Sequence, residues 1–556
     1  LMRKGRIPGT AVGPTRRIVS IIFASLIFLM FIPTKFTHHI GVFAGLAPAL
    51  AAIAAIAIGT NAMQARRNRT LAVALLLAVA AFSFAGTNSY YFVSNWGVPW
   101  SGNQVTIGGI RVASLLLGGS AIALLIAGWH HFREPFRHPD SVETIKRERW
   151  WQQLRGAPLA VIAAIVVAFQ LITVIFGAIH QSGTYSVPAA NLASLRGDIC
   201  QMADKVLVEP DPNAGMLQPV SAPLTTALSG PVAPAPGDTD SFGTVGFDPN
   251  GLPKSLSSLA SADSLGVLAG AANENPDVLD SNGAGTGGGE LVQPGVNGSR
   301  AKLPFGLDPK TTPVMGSYSS ADQAPARLRS SWFRLPPKQA GQGLISLAAA
   351  GRFESSSVHL EYATGAGTTD ADFRPAGSVQ MIDPGPSPSW RNLRIYRSSL
   401  PADATAVRIA AVDNNLGTDS FIVVTPPRVP HLQTLESLVG RADPVQIDWT
   451  SGLAFPCQRP FNHRDGVAEL PMWRITPGSD LSAPVTAWMD ASGGGPIGWQ
   501  DVSLKATTIP SYLQNDAGRE WGTLQRLVPY QTTTLADLKL GEATRSGLWR
   551  PAPIRD

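Results

Sequence analysis

Charge is scarce in this sequence. Asp, Glu, Lys and Arg make up 15% of its 556 residues, where roughly a quarter is usual for soluble domains. The shortage is concentrated in residues 18–180, built mostly from Ala, Ile, Leu, Val, Phe and Gly, and it argues against an ordinary soluble domain there. Cysteine is nearly absent: Cys200 and Cys457 are the only two, too few and too far apart for a metal pattern. Two readings stay open for them. They form a disulfide, allowed if the region after residue 180 lies outside the cytoplasm, or they are two separately buried thiols. Also missing are the P-loop, Gly-x-Ser-x-Gly and His-Glu-x-x-His, which removes the common nucleotide, hydrolase and metalloprotease readings. No organic cofactor is expected. The net charge of +5 requires no nucleic-acid partner, because much of the basic excess sits at Arg3, Lys4, Arg6, Arg16 and Arg17, beside the first apolar run.

What is present in the first third is a set of five apolar runs, at about 18–33, 40–60, 71–87, 107–129 and 158–180. Roughly 20 apolar residues cross the hydrocarbon core of a bilayer, so residues 1–182 read as a transmembrane domain of five helices. The loops alternate in Lys and Arg. The N-terminal stretch, 61–70 (Arg66, Arg67, Arg69) and 130–157 (Arg133, Arg137, Lys146, Arg147, Arg149, Arg155) are rich; 34–39 and 88–106 are poor. Basic loops stay in the cytoplasm, so everything after residue 180 is expected outside a plasma membrane crossed several times. Tyr90, Tyr91, Trp96 and Trp100 then fall at the outer interface. Arg111, inside the fourth run, is explained by snorkelling.

Beyond residue 180 the texture changes. Residues 221–300 are dominated by Ala, Ser, Gly, Pro and Asp, bury little apolar area and read as a flexible loop. Over 301–430, short β-type runs such as Leu344–Ala350, Val358–Tyr362, Leu393–Tyr396, Ala406–Val412 and Phe421–Val424 are split by turn residues, which predicts a sandwich or jelly roll. Residues 431–545 mix strands with a helix near 431–441. If Cys200 pairs with Cys457, the segment 183–220 packs with 431–556 as a membrane-proximal domain, and 301–430 is an insertion into it.

Tryptophan is the outer half's most suggestive residue, at 332, 390, 449, 473, 488, 499, 521 and 549. Exposed indoles stack on sugar faces, although each one alone is more simply a core residue. In the short loop Pro33–His39, Lys35, His38 and His39 read either as a plain interfacial loop or as a pocket that suits an anionic lipid headgroup. The run Asp413-Asn414-Asn415-Leu416-Gly417-Thr418-Asp419 gathers oxygens that suit a structural Ca²⁺ or a plain Asx turn. Because residue 1 is Leu and no cleavage site follows the first apolar run, the chain is expected to be the latter part of a longer protein.

Several long strings carry a family resemblance: Pro33-Thr34-Lys35-Phe36-Thr37-His38-His39, Leu303-Pro304-Phe305-Gly306-Leu307-Asp308-Pro309, Pro313-Val314-Met315-Gly316-Ser317 and Phe455-Pro456-Cys457-Gln458-Arg459-Pro460-Phe461. They resemble the mycobacterial (actinobacterial) cell-wall arabinosyltransferases, the Emb family targeted by ethambutol, over nearly the whole chain. The resemblance implies the last helices of a C-type glycosyltransferase membrane bundle, followed by extracytoplasmic, β-rich, jelly-roll carbohydrate-binding domains. It implies transfer of arabinofuranose from decaprenyl-phosphoryl arabinose to the arabinan of arabinogalactan or lipoarabinomannan, and pairing as a homodimer or with a paralogue. By the same resemblance Lys35, Phe36, His38 and His39 border the donor-side cavity, Trp332, Trp449 and His463 contact sugar, and Asp413 matches a Ca²⁺ site. Phe36 departs from the Trp often found there. The family's catalytic acids lie among helices that precede this stretch, so no catalytic residue is assigned within it. The competing reading is a non-catalytic membrane-anchored envelope protein whose outer domains bind partners.

Overall fold

The structure, a computed structural model, describes residues 10–31, 41–61, 66–86, 88, 97–100, 104–133, 158–229, 244–253, 256, 291–477 (apart from 321–322, 339–340, 355–356, 386, 418–419, 449–450, 453 and 465–466), 504–529, 539 and 541. These fall into two compact units, residues 1–201 and 202–556.

Among the described residues the first unit holds five long helices: α1 (Val12–Met30), α2 (Leu46–Asn61), α3 (Arg66–Ser83), α4 (Val112–Arg133) and α5 (Pro158–His180). Val12–Met30, Val112–Arg133 and Val161–His180 are long and apolar enough to cross a bilayer. The apolar part of α2 is the shorter Leu46–Ile56, and α3 opens on Arg66, Arg67 and Arg69. Helices α3 and α4 pack through small residues. Ala74, Ala123 and Ala127 are buried, and the Ser120 hydroxyl donates to the Ala74 carbonyl at 2.8 Å. Small side chains let helix backbones approach where lipid removes the hydrophobic drive to associate. Gln170 on α5 donates to the buried Asn88 at 2.9 Å, so an amide in an apolar helix has a partner. The fourth apolar run is not helical throughout. Its first residues form a hairpin, Thr106–Ile107 against Ile110–Arg111, because Gly108 and Gly109 both take positive φ (56° and 80°), as a two-residue hairpin turn requires.

The second unit carries an antiparallel sandwich. One sheet orders Arg391–Tyr396, Leu344–Ala350, Val423–Val424 and Met315–Gly316. The other orders Ala326–Arg329, Ala406–Asp413, Val358–Gly365 and Phe373–Gln380, with Phe333–Arg334 also against 406–413. Ile345, Leu347, Leu360, Leu393, Ile409 and Val424 fill the space between them, since alternate side chains of a strand share one face, while Ala348 and Ala350 on the other face of their strand join a second buried cluster. Part of the stretch expected to be flexible loop belongs to this core. Ala227, Leu228 and Phe247 are buried in it, and Val245 and Asp248 bridge to Arg327 and Gly316. A few apolar residues in a Gly/Ser/Pro-rich run suffice when a sheet edge is available to receive them.

A further four-stranded sheet runs Val445–Ile447, Trp473–Pro477, Gly522–Pro529 and Leu504–Ile509. The strand Val206–Val208 pairs with both Gln433–Thr434 and Ser511–Leu513. Chain before and after the sandwich thus meets in one sheet. The helix expected near 431–441 is the single turn and a half Leu435–Val439, capped by the Thr434 hydroxyl. Both cysteines are disulfide-bonded, and the chain has no other.

Candidate functional site

A cavity of about 310 Å³ opens in the second unit where three chain segments converge. Two are laid antiparallel: Val429 N–H donates to Gly215 O at 2.8 Å and Leu217 N–H to Pro427 O at 3.1 Å. The approach is close because residue 215 is Gly; a Cβ there would lie 2.3 Å from the Val429 oxygen. The third segment follows strand Phe333–Arg334, with Arg334 N–H on Gln218 O at 3.0 Å. Arg397 fixes its far end by donating to the carbonyls of Pro336 and Pro337.

These walls are anchored by a buried ion pair. Glu209 and Arg428 side chains have no exposure. The guanidinium meets the carboxylate through Nε and Nη2, both at 2.9 Å, and Nη2 also donates to Asn392 at 2.7 Å. Tyr512 OH, pushed up to about 12 by burial, donates to the Ser346 hydroxyl at 3.0 Å. Burial pushes the Glu209 carboxyl up, while the charge and hydrogen bonds of Arg428 pull it down. The bidentate fork is the geometry that offsets desolvation of such a pair.

The cavity floor is Met216, Leu217, Val429 and Pro336; the rim is Gln218, Arg334, Gln342 and His431. Arg334 is partly committed, donating to Gly367 O with its guanidinium 5.7 Å from the Phe373 ring. One acceptor of Gln342, Oε1, is buried without a partner among the described residues. Among the described residues no carboxylate lines the cavity, so they supply no carboxylate pair for general acid–base work there. It offers an apolar floor and amides that both donate and accept, the lining suited to a neutral, hydroxyl-rich ligand.

The residues singled out from the sequence are not brought together here. Trp332 is a correction. It is 1% exposed, packed with Ala363, Phe373 and Ala406, and covered by Arg408, whose guanidinium lies 4.3 Å from the ring. An indole enclosed on its faces cannot stack on a sugar. Trp390, Trp473 and Trp521 are buried as well. Trp449, Lys35, Phe36, His38 and His39 lie outside the described residues. His463 is exposed, its ring 5.7 Å from Phe461. Asp413 is buried; its Oδ2 accepts from Ser317 at 2.5 Å and its Oδ1 from Asn415 N–H at 3.2 Å, the Asx-turn arrangement. Burial pushes its carboxyl up, against those two hydrogen bonds. Sequence reasoning missed Gln218, Gln342 and His431, which carry no motif; Arg334, two residues beyond Trp332, was within reach of it.

Known proteins resemble this chain in both sequence and structure. A family model described as "EmbC C-terminal domain" matches residues 171–555, and one described as "Mycobacterial cell wall arabinan synthesis protein" matches residues 1–133. The chain is 46% identical to a probable arabinosyltransferase C of Mycolicibacterium smegmatis over all of its length and 50% of that protein's. It is 44% identical to the probable arabinosyltransferase C of Mycobacterium tuberculosis, again over 100% of this chain and 50% of the relative. The cryo-EM structure of arabinosyltransferase EmbB from Mycobacterium smegmatis superposes with a TM-score of 0.77 at 38% identity, covering 97% of this chain and 50% of that one. The chain thus spans about half the length of the curated relatives it matches.

Proposed function

The chain belongs to the Emb arabinosyltransferase family, and on that premise we propose that it is the C-terminal part of an arabinofuranosyltransferase whose outer region holds the arabinan acceptor in the 214–218/334–342/429–431 cavity. The observation that carries this reading is the chemistry of that cavity: amides and an Arg around an apolar floor, with no carboxylate in the lining. A glycan is bound there and no glycosidic bond is broken. Transfer takes place elsewhere in the whole protein, from decaprenyl-phosphoryl arabinose at the outer membrane face. The N-terminus is cytoplasmic, the five helices cross the plasma membrane, and residues beyond 180 face the envelope. Loop residues Lys35, Phe36, His38 and His39 lie on the donor side, and Trp449 and His463 supply further glycan contacts.

The test is titration of the full chain in nanodiscs with a synthetic arabinofuranosyl oligosaccharide, read by calorimetry. Gln218→Ala and Gln342→Ala each weaken binding roughly fivefold, the effect of one hydrogen bond of about 1 kcal/mol. Unchanged affinity in both variants would remove the acceptor from this cavity.

A further inference from the structure

The hairpin ahead of α4 presents two large apolar side chains that nothing in the described protein covers. Ile107 is 66% and Ile110 54% exposed, although they are cross-strand neighbours. Between them lie Gly108 and Gly109, where a Cβ would meet no atom within 4 Å. The tip is therefore a smooth apolar knob, bare on its outer side. Its base is fixed. Val112 N–H donates to Val105 O at 2.9 Å, and Val105 is buried. Arg111, paired across the strands with Thr106, is exposed and makes no ion pair among the described residues.

Location decides what covers the knob. The hairpin leads without a linker into α4 (Val112–Arg133), a helix apolar enough to cross a membrane. Its 22 residues rise about 33 Å, close to the ~30 Å of hydrocarbon, so Val112 sits at one boundary of the bilayer. At roughly 3.3 Å per strand residue, Ile110, two residues before Val112, and its cross-strand partner Ile107 lie about 7 Å from that boundary, and the tip glycines about 10 Å. That distance keeps the two Ile side chains at about headgroup depth. Leu115 and Leu117, in the first turns of α4, are exposed as well.

We infer that this hairpin is an interfacial anchor: Ile107 and Ile110 insert among lipid headgroups and upper acyl chains, and Arg111 pairs with a lipid phosphate. Apolar side chains flanked by a cation are the recurring chemistry of such surface insertion. The anchor fixes the height of α4 in the bilayer and of the loop that precedes it. This inference stands apart from the acceptor reading, since it concerns lipid and not glycan.

The test attaches an environment-sensitive fluorophore to Ile107→Cys or Ile110→Cys in the full chain, with the native disulfide left oxidised, and reconstitutes it in phosphatidylethanolamine/phosphatidylglycerol vesicles. A shallow doxyl-labelled lipid or aqueous iodide then serves as quencher. Emission shifted to the blue and lost to the doxyl lipid, with iodide ineffective, is the expected result. A probe at Leu416→Cys, on an exposed outer-region loop, responds to iodide alone. Quenching of the hairpin probe by iodide would show a knob in water. Quenching by neither would show a knob covered by protein. Either result overturns the anchor. Arg111→Gln, made in the labelled chain, weakens the lipid quenching; no change would remove the phosphate contact from the proposal.

Discussion

The two units solve the problem of polarity in opposite ways. In the first, large apolar side chains such as Leu125, Phe132 and Ile172 point away from the protein, and the buried residues of α3 and α4 are mostly small, Ala74, Ala80, Ala81, Ser120, Ala123 and Ala127 with Leu76. In the second, large apolar residues fill the core, and most of the buried charges come in pairs, among them Arg428 with Glu209, Arg408 with Glu361, Arg391 with Asp383 and Arg474 with Asp448, while Arg397 and Asp413 are held by neutral hydrogen-bond partners. The contrast reflects solvent. Lipid gives no reward for hiding Leu, so close backbone approach and lone hydrogen bonds hold helices together. Water rewards hiding Leu and Ile, and the resulting core holds a charge only where an opposite charge or hydrogen-bonding groups come with it.

That contrast is sharpened most by breaking the Glu209–Arg428 pair. Glu209→Gln strands a buried guanidinium and is expected to cost about 3–5 kcal/mol, seen as an earlier urea midpoint for the second unit's tryptophan fluorescence. The mirror experiment in the first unit adds bulk where small residues meet. Ala127→Leu overfills a buried site and costs roughly 1–3 kcal/mol. Leu125→Ala on the outward side changes stability by only about 0.5 kcal/mol or less in detergent. Equal effects of the two changes would break the comparison.

A smaller effect is expected from pH. Burial raises the Asp383 carboxyl, but the hydrogen bonds and charge of Arg391 outweigh it, so the net shift is downward. A folded value below the unfolded one makes the contribution complete above about pH 4, the ordinary Asp range, and lost as pH falls through the lower folded value. Asp383→Asn should therefore flatten the acid limb of the stability curve and leave its upper limb unchanged. The smallest effect concerns Asp413. If the Asx turn accounts for the whole of its geometry, Ca²⁺ leaves the melting temperature unchanged; a rise that Asp413→Asn abolishes would establish a cation site.

Much of the fold was legible from pattern. Strands 344–350, 358–365 and 406–413 follow from β-type runs closed by turn residues, and the apolar runs overlap the five long helices among the described residues. The misses have physical causes. The fourth run was read through its Gly-Gly pair, because hydropathy averages over a hairpin that backbone conformation makes obvious. Ala227, Leu228 and Phe247 were hidden by composition, since a window average hides the few residues that enter a core. The site was less legible than the fold. Trp332 attracted attention for chemistry that its burial under Arg408 forbids, whereas Gln218 and Gln342 stand out only once three distant segments are side by side.

The central claim is that arabinan is held where those segments meet. Photo-crosslinking the full chain with a diazirine-bearing arabinofuranosyl oligosaccharide, followed by peptide mass spectrometry, addresses it directly. Adducts on residues 214–218 and 429–431 that unlabelled oligosaccharide competes away are the predicted result. Competed adducts confined to other segments would contradict it.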